Sequence, residues 1–507
     1  MSLRLPSKLR DESGYALVGV LMFLIVGTIF ATAAFVATTG DITTSARDRQ
    51  AKEAYSAAEA GLNYYLFRLS QNNAYWTNCD QVAAPNNTEA NPVNLAGATT
   101  LRWRNVQGTA TQYAIELLPQ NGAAQCLPGA SATATMLDGA SGTMQIRSTG
   151  KSGGVRRTIV QTLRRTGFLD YLYFTDFETE DPQVTSSAQV CNVYRRAGRS
   201  SNCPSIVFAN GDVVNGPLHT NDDILVCGSP TFGRTSADIV EVSGPAPGYA
   251  SGGCAGTPNF KGTFRTDAKL LSLPATNSTL ASVASAGYLF TGITTITLNS
   301  SSMSVTNGGT TTVKSLPANG VIYVKNGASC SAAYSGTQTY NEPVGCGNVY
   351  VQGTYTGNLT IAAERDIIVN GDVKRNGNYL LGLIANGFVR VYHPISGSCG
   401  DTASGPFGPS LTNVQIDAAI LTLQHSFIVD NYKCGTPRGT LTVNGAIGQS
   451  FRGPVGTGGA SIATGYVKSY NYDDRLRVVS PPYFLDPISS AWRRIRFNEQ
   501  VPPRQGG

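Results

Sequence analysis

A long uncharged segment near the N-terminus limits this chain more than any other feature. Residues 13–40 contain no charged side chain. Their apolar part, residues 15–38 (YALVGVLMFLIVGTIFATAAFVAT), is long enough as a helix to cross a hydrocarbon layer roughly 30 Å thick. A charged residue at its centre would cost about 2.5–3.5 kcal/mol on insertion scales. The segment predicts a membrane-inserted helix, and an ordinary signal peptide or signal anchor is the alternative.

The helical pattern continues beyond the apolar segment. In residues 41–71, apolar residues recur at three- and four-residue steps, and most charged side chains lie off that stripe. The stripe consists of Ala51, Ala54, Ala58, Leu62, Tyr65 or Leu66, and Leu69. One continuous helix of about 85 Å is therefore expected, at 1.5 Å per residue. Its first half would be apolar all round and its second half apolar on one face. We place this helix in residues 15–74.

The N-terminus resembles the type IV pilin superfamily, and PilX-type minor pilins in particular. Residues 1–14 form a short basic leader that ends in Gly14, directly before the apolar segment. The stretch AYSAAEAGL at residues 54–62 is similar to the signature that follows the membrane helix in those proteins. The signature residues are Ala54, Ala57, Ala58, Glu59, Ala60, Gly61 and Leu62.

The resemblance implies processing and assembly. A prepilin peptidase would cut between Gly14 and Tyr15 and leave the apolar segment on the mature chain. Most major pilins carry a Glu five residues into the mature helix, where this chain has Gly19. A minor subunit is therefore expected rather than a homopolymer. Small residues that would let helices approach closely in lipid or in a filament are Gly19, Gly27, Ala31 and Ala34.

The full chain has the composition of exported β structure. Of its 507 residues only 14% are charged, and 56 are Gly. Residues 75–165 are predicted to form a small antiparallel sheet on the helix, with a hairpin at residues 143–163 turning at KSGG. Arg156, Arg157, Arg164 and Arg165 are interpreted there as a solvated strand face.

Short β-branched runs that end in Asn-Gly turns recur through residues 166–507 and predict a large β-solenoid, like a parallel β-helix. The expected fold is α+β and mostly β: a long pilin-type helix, the small sheet and the solenoid head.

Ten cysteines are spread through loop-rich sequence without a CxxC pair, which favours disulfides over a metal site. We predict sequential pairing, although sequence alone leaves connectivity open. The predicted pairs are Cys79–Cys126, Cys191–Cys203, Cys227–Cys254, Cys330–Cys346 and Cys399–Cys434. No metal and no cofactor are expected.

A polysaccharide-active β-helix enzyme, secreted or membrane-anchored, is the main alternative function. It would need clustered carboxylates with a base. The candidates are residues 219–223 (HTNDD), Asp473, Asp474 and His425, and we interpret them as turn and strand residues. A binding role for the head is a third hypothesis. Its candidate surface is an aromatic group that could equally close the end of the solenoid: Tyr466, Tyr470, Tyr472, Tyr483 and Phe484.

The sequence therefore predicts a non-enzymatic minor pilin-like subunit. It would span the cytoplasmic (inner) membrane once, with an extracytoplasmic head that reaches the cell surface or the pilus. Expected partners are the prepilin peptidase, other pilins with the pilus assembly machinery, membrane lipid, and a surface glycan or protein bound by the head. The net charge of +6 is modest and no basic stripe appears, so nucleic acid is not expected.

Overall fold

The computed structural model describes residues 13–72, 75–77, 93–94, 96–118, 138, 143–187, 189–328, 330, 334–402, 405–458, 462–488 and 492–505. Most of the predicted leader and the predicted pair Cys79–Cys126 lie outside these ranges.

One long helix, α1 (Ser13–Gln71), opens the described chain. By length and composition it is apolar enough to cross a membrane. Residues 15–39 are exposed on every side. In the second half, the predicted stripe at Ala54, Ala58, Leu62 and Leu69 is buried, which confirms the change from an all-round apolar helix to a one-sided one.

A small sheet packs against this second half. Its strands are β1 (Val93–Asn94), β2 (Arg104–Asn105), β3 (Gln112–Leu118), β4 (Thr143–Ser152), β5 (Val155–Arg165) and β33 (Trp492–Gln500). The order is β1-β3-β4-β5-β33, with β2 also on β3. All pairs are antiparallel except the short β1–β3 pair. The predicted β4–β5 hairpin is confirmed, and Gly153 has the positive φ that its turn needs.

Strand β33 corrects the assignment of residues 166–507 to the head alone. It pairs with β5 from Trp492↔Arg165 to Gln500↔Thr158, so the chain returns to the small sheet after completing the head. The sequence of β33 is WRRIRFNEQ. Its two-residue alternation predicts a strand, but it does not predict whether that strand pairs in the small sheet or in the large one. The chain thus passes between the two sheets twice, through residues 166–172 and again between the end of β32 and the start of β33.

The large sheet contains most of the remaining strands. They are β6 (Tyr173–Glu180), β7 (Val213–Asn215), β8 (Leu218–Thr220), β10 (Thr231–Phe232), β11 (Ile239–Val242), β13 (Asn259–Phe260), β14 (Thr263–Arg265), β15 (Leu289–Thr291), β16 (Thr294–Ser300), β17 (Ser302–Asn307), β18 (Thr310–Ser315), β19 (Val321–Lys325), β20 (Val349–Tyr355), β21 (Leu359–Ala363), β22 (Ile367–Arg375), β23 (Leu381–Ala385), β24 (Val389–Val391), β27 (Gln415–Ile416), β28 (Ala419–Thr422), β29 (Phe427–Val429), β30 (Pro437–Arg452), β31 (Gly456–Gly458) and β32 (Ile462–Tyr472).

Shorter elements complete the described part of the chain. Two further strand pairs are β9 (Ile224–Gly228) with β12 (Tyr249–Gly256), and β25 (Ile395–Ser396) with β26 (Gly400–Asp401). The short helices are α2 (Pro182–Thr185) and α3 (Thr279–Val283), and the 3-10 turns are Tyr75–Thr77, Phe168–Asp170, Arg195–Ala197, Ala286–Tyr288 and Asp474–Arg477.

Two ladders of strands make up the large sheet. The first is parallel throughout, in the order β15-β19-β21-β23-β28-β30-β6-β8-β11-β14. The second is parallel from β16 through β20, β22, β24 and β29, and again from β27 through β30, β32, β7 and β10 to β13. An antiparallel extension, β17 and β18, continues it beyond β16.

The large sheet is therefore mostly parallel and curled. The 16-residue strand β30 belongs to both ladders, and the inward side chains of both form one core of Val, Ile, Leu and Tyr. A large β head after a long helix is thus confirmed. Curling of this kind is not by itself a closed β-solenoid, which stays a prediction.

Candidate functional site

The apolar half of α1 contacts nothing else in the described chain. Tyr15, which follows the predicted cleavage position, is 89% exposed. A Cβ added at Gly19 or Gly27 would meet no atom within 4 Å. Gly27, Ala31 and Ala34 follow one another at four and three residues and so share a face of the helix. Their packing against other helices stays a prediction.

The signature residues lie where the helix meets the small sheet. Ala54, Ala57, Ala58 and Leu62 are fully buried, and Glu59 and Ala60 are half-buried. The helix packs against β3, β4 and β5. Small side chains allow the helix backbone to approach the sheet closely, which gives the AYSAAEAGL stretch a direct packing role.

Two glycines show how close this approach is. A Cβ on Gly150 of β4 would lie 2.5 Å from the Ala58 nitrogen and even nearer the Ala54 carbonyl oxygen. On the helix side, a Cβ on Gly61 would lie 2.8 Å from the Tyr113 ring. Both contacts are shorter than any ordinary Cβ contact. The sequence did not predict a role for Gly150, because a single glycine in a strand does not indicate which element lies against it.

The second crossing between the sheets is held by arginines. Arg164 is buried and donates a 2.7 Å hydrogen bond from Nη1 to the Leu476 carbonyl. Arg493 binds Asp170. The interpretation of Arg164 as part of a solvated face is therefore wrong: it points into the junction, where a backbone carbonyl satisfies it.

The His219 cluster is a buried hydrogen-bonded network. His219 Nδ1 lies 2.9 Å from Glu241 Oε1, and its Nε2 lies 3.0 Å from Asn221 Oδ1. Asn221 in turn bonds the Leu271 backbone at 2.8 and 2.9 Å, and Asp222 pairs with Arg199. Although burial raises the pKa of Glu241, its hydrogen bonds from His219 and Tyr171 outweigh that effect and lower it. These side chains anchor strands to one another.

The other proposed catalytic residues are also paired. Asp473 binds Arg475 and Arg375, and Asp474 binds Arg234 at 2.8 Å. His425 is 23% exposed and accepts or donates a 2.9 Å bond with Asp181 while its ring stacks on Phe388. They lie in separate pairs and do not converge on one reacting position. In the described ranges no group of three His, Cys, Asp or Glu is arranged to hold a metal ion.

The C-terminal aromatic residues pack inward. Tyr466, Tyr470 and Tyr472 are buried in the main core, and Tyr483 and Phe484 cover the outer face of the first ladder. This confirms the packing interpretation over an exposed binding patch.

Four predicted disulfides are present: Cys191–Cys203, Cys227–Cys254, Cys330–Cys346 and Cys399–Cys434. Each closes a loop of the head, and the two cysteines of a pair are 12 to 35 positions apart in sequence. Sequential pairing suits a curled sheet, because successive turns of the chain lie beside one another.

Arg390 marks a polar site that sequence reasoning missed. It is 1% exposed on the outer face of β24. Its Nη2 donates to Glu342 Oε1 at 2.7 Å and its Nη1 donates to Gln338. Asp366 and Asp430 lie 3.5 and 3.7 Å from the guanidinium. The motif VRV around Arg390 predicts that the arginine points outward from the strand. It does not predict that a loop covers this arginine.

Comparison with known proteins gives one family match. The PilX N-terminal family matches residues 13–63. Among curated proteins, none has a sequence that matches this chain significantly. A solved structure, the competence-associated pilin ComZ from Thermus thermophilus, aligns at 12% identity with a TM-score of 0.28, over 90% of this chain and 98% of its own. A TM-score this low does not indicate a shared fold.

The family match coincides with the helix and with the signature that packs it on the small sheet. Over its N-terminal segment, residues 13–63, the chain is thus similar to the PilX N-terminal family.

Proposed function

We propose that this chain is a minor type IV pilin-like subunit that is inserted in the cytoplasmic (inner) membrane and then displays its head outside. The observation that carries the proposal is the division of α1. Its first half is apolar and contacts no other element, and its second half is bound to the small sheet within the PilX-type segment. Lipid before assembly, and other pilin helices afterwards, would cover the exposed half.

Gly19 supports a minor rather than a shaft-forming role. A carboxylate in an apolar helix bundle is costly unless it is paired. In the related major pilins it pairs with a neighbouring N-terminus, and Gly19 offers no such group. Close packing through Gly27, Ala31 and Ala34 would remain available for contact with other pilins and the assembly machinery.

The proposal is tested by cleavage between Gly14 and Tyr15 by a prepilin peptidase. In a host that has this peptidase, the mature wild-type chain should begin at Tyr15. The Gly14→Glu variant should keep its leader, because a glycine is expected at the cleavage position. N-terminal sequencing and intact mass measure both. Gly19→Ala is the matched control and should be cut normally. A wild-type chain that begins after residue 38 would show removal of the whole apolar segment and contradict the proposal.

We also propose that the two ladders close into a full β-solenoid. Parallel stacking through the first ladder, together with the shared strand β30, favours this arrangement. Such a head presents a long surface of low charge outside the cell, suited to contact with a glycan or another protein rather than nucleic acid.

The enzyme alternative receives less support. The residues that could catalyse sugar cleavage, His219 and Asp473 among them, bind neighbouring side chains in separate networks. Glycoside hydrolysis needs two carboxyl groups facing each other across one bond.

A further inference from the structure

A cleft lies on the outer face of the head, between residues 334–343 and the strands beneath. Its volume is about 150 Å³. Its lining includes Tyr334, Gln338, Glu342, Arg365, Asp366 and Arg390. The covering segment belongs to the loop closed by Cys330–Cys346, and Arg365 contacts both sulfurs of that disulfide at 3.1 and 2.9 Å. The cleft is therefore bounded by covalently restrained chain.

The floor of the cleft is rigid. Arg390 is fixed by Gln338 and Glu342, and Glu342 also accepts a 3.2 Å bond from the Tyr350 hydroxyl. At one side Tyr334 stacks on Phe388 at 4.2 Å between ring centroids, and His425 stacks on the opposite side of Phe388 at 4.4 Å. A site held in this way binds without first ordering its own side chains, which removes one of the free-energy costs of association.

One buried polar group at the cleft lacks a hydrogen-bond partner, and exposed polar side chains surround the opening. Arg390 Nε is buried and has no hydrogen-bond partner in the described part of the chain; Asp366 Oδ2 lies 3.5 Å away, beyond good bonding distance. A buried N–H without a partner is costly and points to an acceptor that fills the position. At the rim, Thr337, Thr339 and Asn341 are exposed and offer further donors and acceptors.

Charge and size limit the ligand. Two guanidinium groups and two carboxyl groups line the cleft, and Asp430 lies beneath Arg390. The guanidinium groups would repel a metal cation, and the carboxylates would repel a phosphate. Drug-sized ligands fill pockets of about 300–1,000 Å³, so this cleft suits a smaller molecule. A neutral ring with several hydroxyl groups both donates to carboxylates and accepts from guanidinium groups.

We propose that this cleft binds one sugar residue of a neutral glycan. The inference rests on the proposed display of the head outside the cell, where such glycans occur. For a single sugar the dissociation constant should be on the order of 1 mM, because few atoms make contact.

Saturation-transfer NMR with the full chain in detergent tests the site. The probes are the methyl glycosides of glucose, galactose, mannose and N-acetylglucosamine, with glucuronic acid and inorganic phosphate as charged comparisons. At least one neutral glycoside should bind, and the two anions should not. Thr339→Trp places a large ring at the rim and should weaken binding by about ten-fold or more. Thr312→Trp makes the same change on the exposed strand β18 and should leave binding unchanged.

Three outcomes would overturn the inference: no neutral glycoside binds, the anions bind better, or Thr339→Trp binds as wild type does. Release of reducing ends from a matching oligosaccharide would likewise replace a binding site with a catalytic one. These results are separate from leader cleavage. A chain that starts at Tyr15 but binds no sugar would leave the pilin proposal intact, and a sugar-binding chain with an uncut leader would do the reverse.

Discussion

Single glycines decide how closely the helix can lie on the sheet. Gly150 faces the Ala54 carbonyl and the Ala58 amide with no room for a methyl group. Ala54 and Ala58 of the PilX-type signature therefore lie against a glycine of the sheet. The signature alone predicts that the helix packs closely, but it does not say on which residue.

Gly150→Ala should lower the free energy of unfolding by about 1–3 kcal/mol, because the added methyl group forces the helix away from β4. Without that contact, alanine in a strand would be slightly stabilising. Urea denaturation of the purified chain in detergent measures the change. Gly154→Ala, in the adjoining turn with nothing within 4 Å of its Cβ, should stay within about 0.5 kcal/mol of wild type. Equal effects in the two variants would contradict the close contact.

Asp430 should make stability depend on pH. Burial raises its pKa to about 7, even with Arg390 beside it. In the unfolded chain the carboxyl keeps an ordinary pKa of about 3.9. Between about pH 4 and pH 7 the folded protein holds a proton that the unfolded chain has released. The stability contributed by protonated Asp430 is therefore present at low pH, falls as pH rises through this window, and is constant above it.

We expect the unfolding free energy of wild type, relative to Asp430→Asn, to fall between pH 5 and pH 8. Urea denaturation of both proteins at the two pH values measures this difference. The exposed Asp267→Asn variant is the control, and its difference from wild type should not change between the same pH values. A relative stability of wild type that rises with pH would show that Asp430 is ionised throughout.

At the scale of elements, β33 links the end of the chain to the helix domain. Trp492 is buried in the small-sheet core with Leu163 and Tyr65, and Arg157 pairs with Glu499 at 2.7 Å. Arg504, beyond the strand, donates from its backbone to Thr158 at 2.9 Å. These contacts make the last residues part of the structure that carries the pilin helix.

Deleting residues 492–507 should expose the edge of β5. We expect its backbone amides, which now pair with β33, to lose protection in hydrogen exchange, while β21 in the large sheet keeps its protection. Deleting only residues 505–507 retains Arg504 and should change neither strand. Unchanged protection of β5 after the longer deletion would show that β33 adds nothing to the stability of the small sheet.

At the scale of the whole molecule, periodic segments were predictable and their neighbours were not. The helix, the β4–β5 hairpin and a large β head follow from local pattern. Four predicted disulfides are present, although sequence alone left their connectivity open. Strand β6 pairs with β30, more than 250 residues later, and with β8. The side chains of β6 do not identify these two strands as its neighbours. An alternating pattern shows which side chains point inward, but an inward apolar side chain can pack beside many parallel strands. Arg164 and Arg390 were missed for the same reason: burial under a distant segment leaves no local sign.

The two crossings between the small and large sheets have a mechanical consequence. Arg165, at the end of β5, and Trp492, at the start of β33, are register partners, so both connections to the head leave the small sheet side by side. A pull between the helix and the head is therefore carried covalently through residues 166–172 and, through the hydrogen bonds of β33 to β5, by the second connection as well. Cutting the first connection would leave the head held to the small sheet by the non-covalent pairing of β33, so the load could pass from backbone to a strand pair pulled along its length.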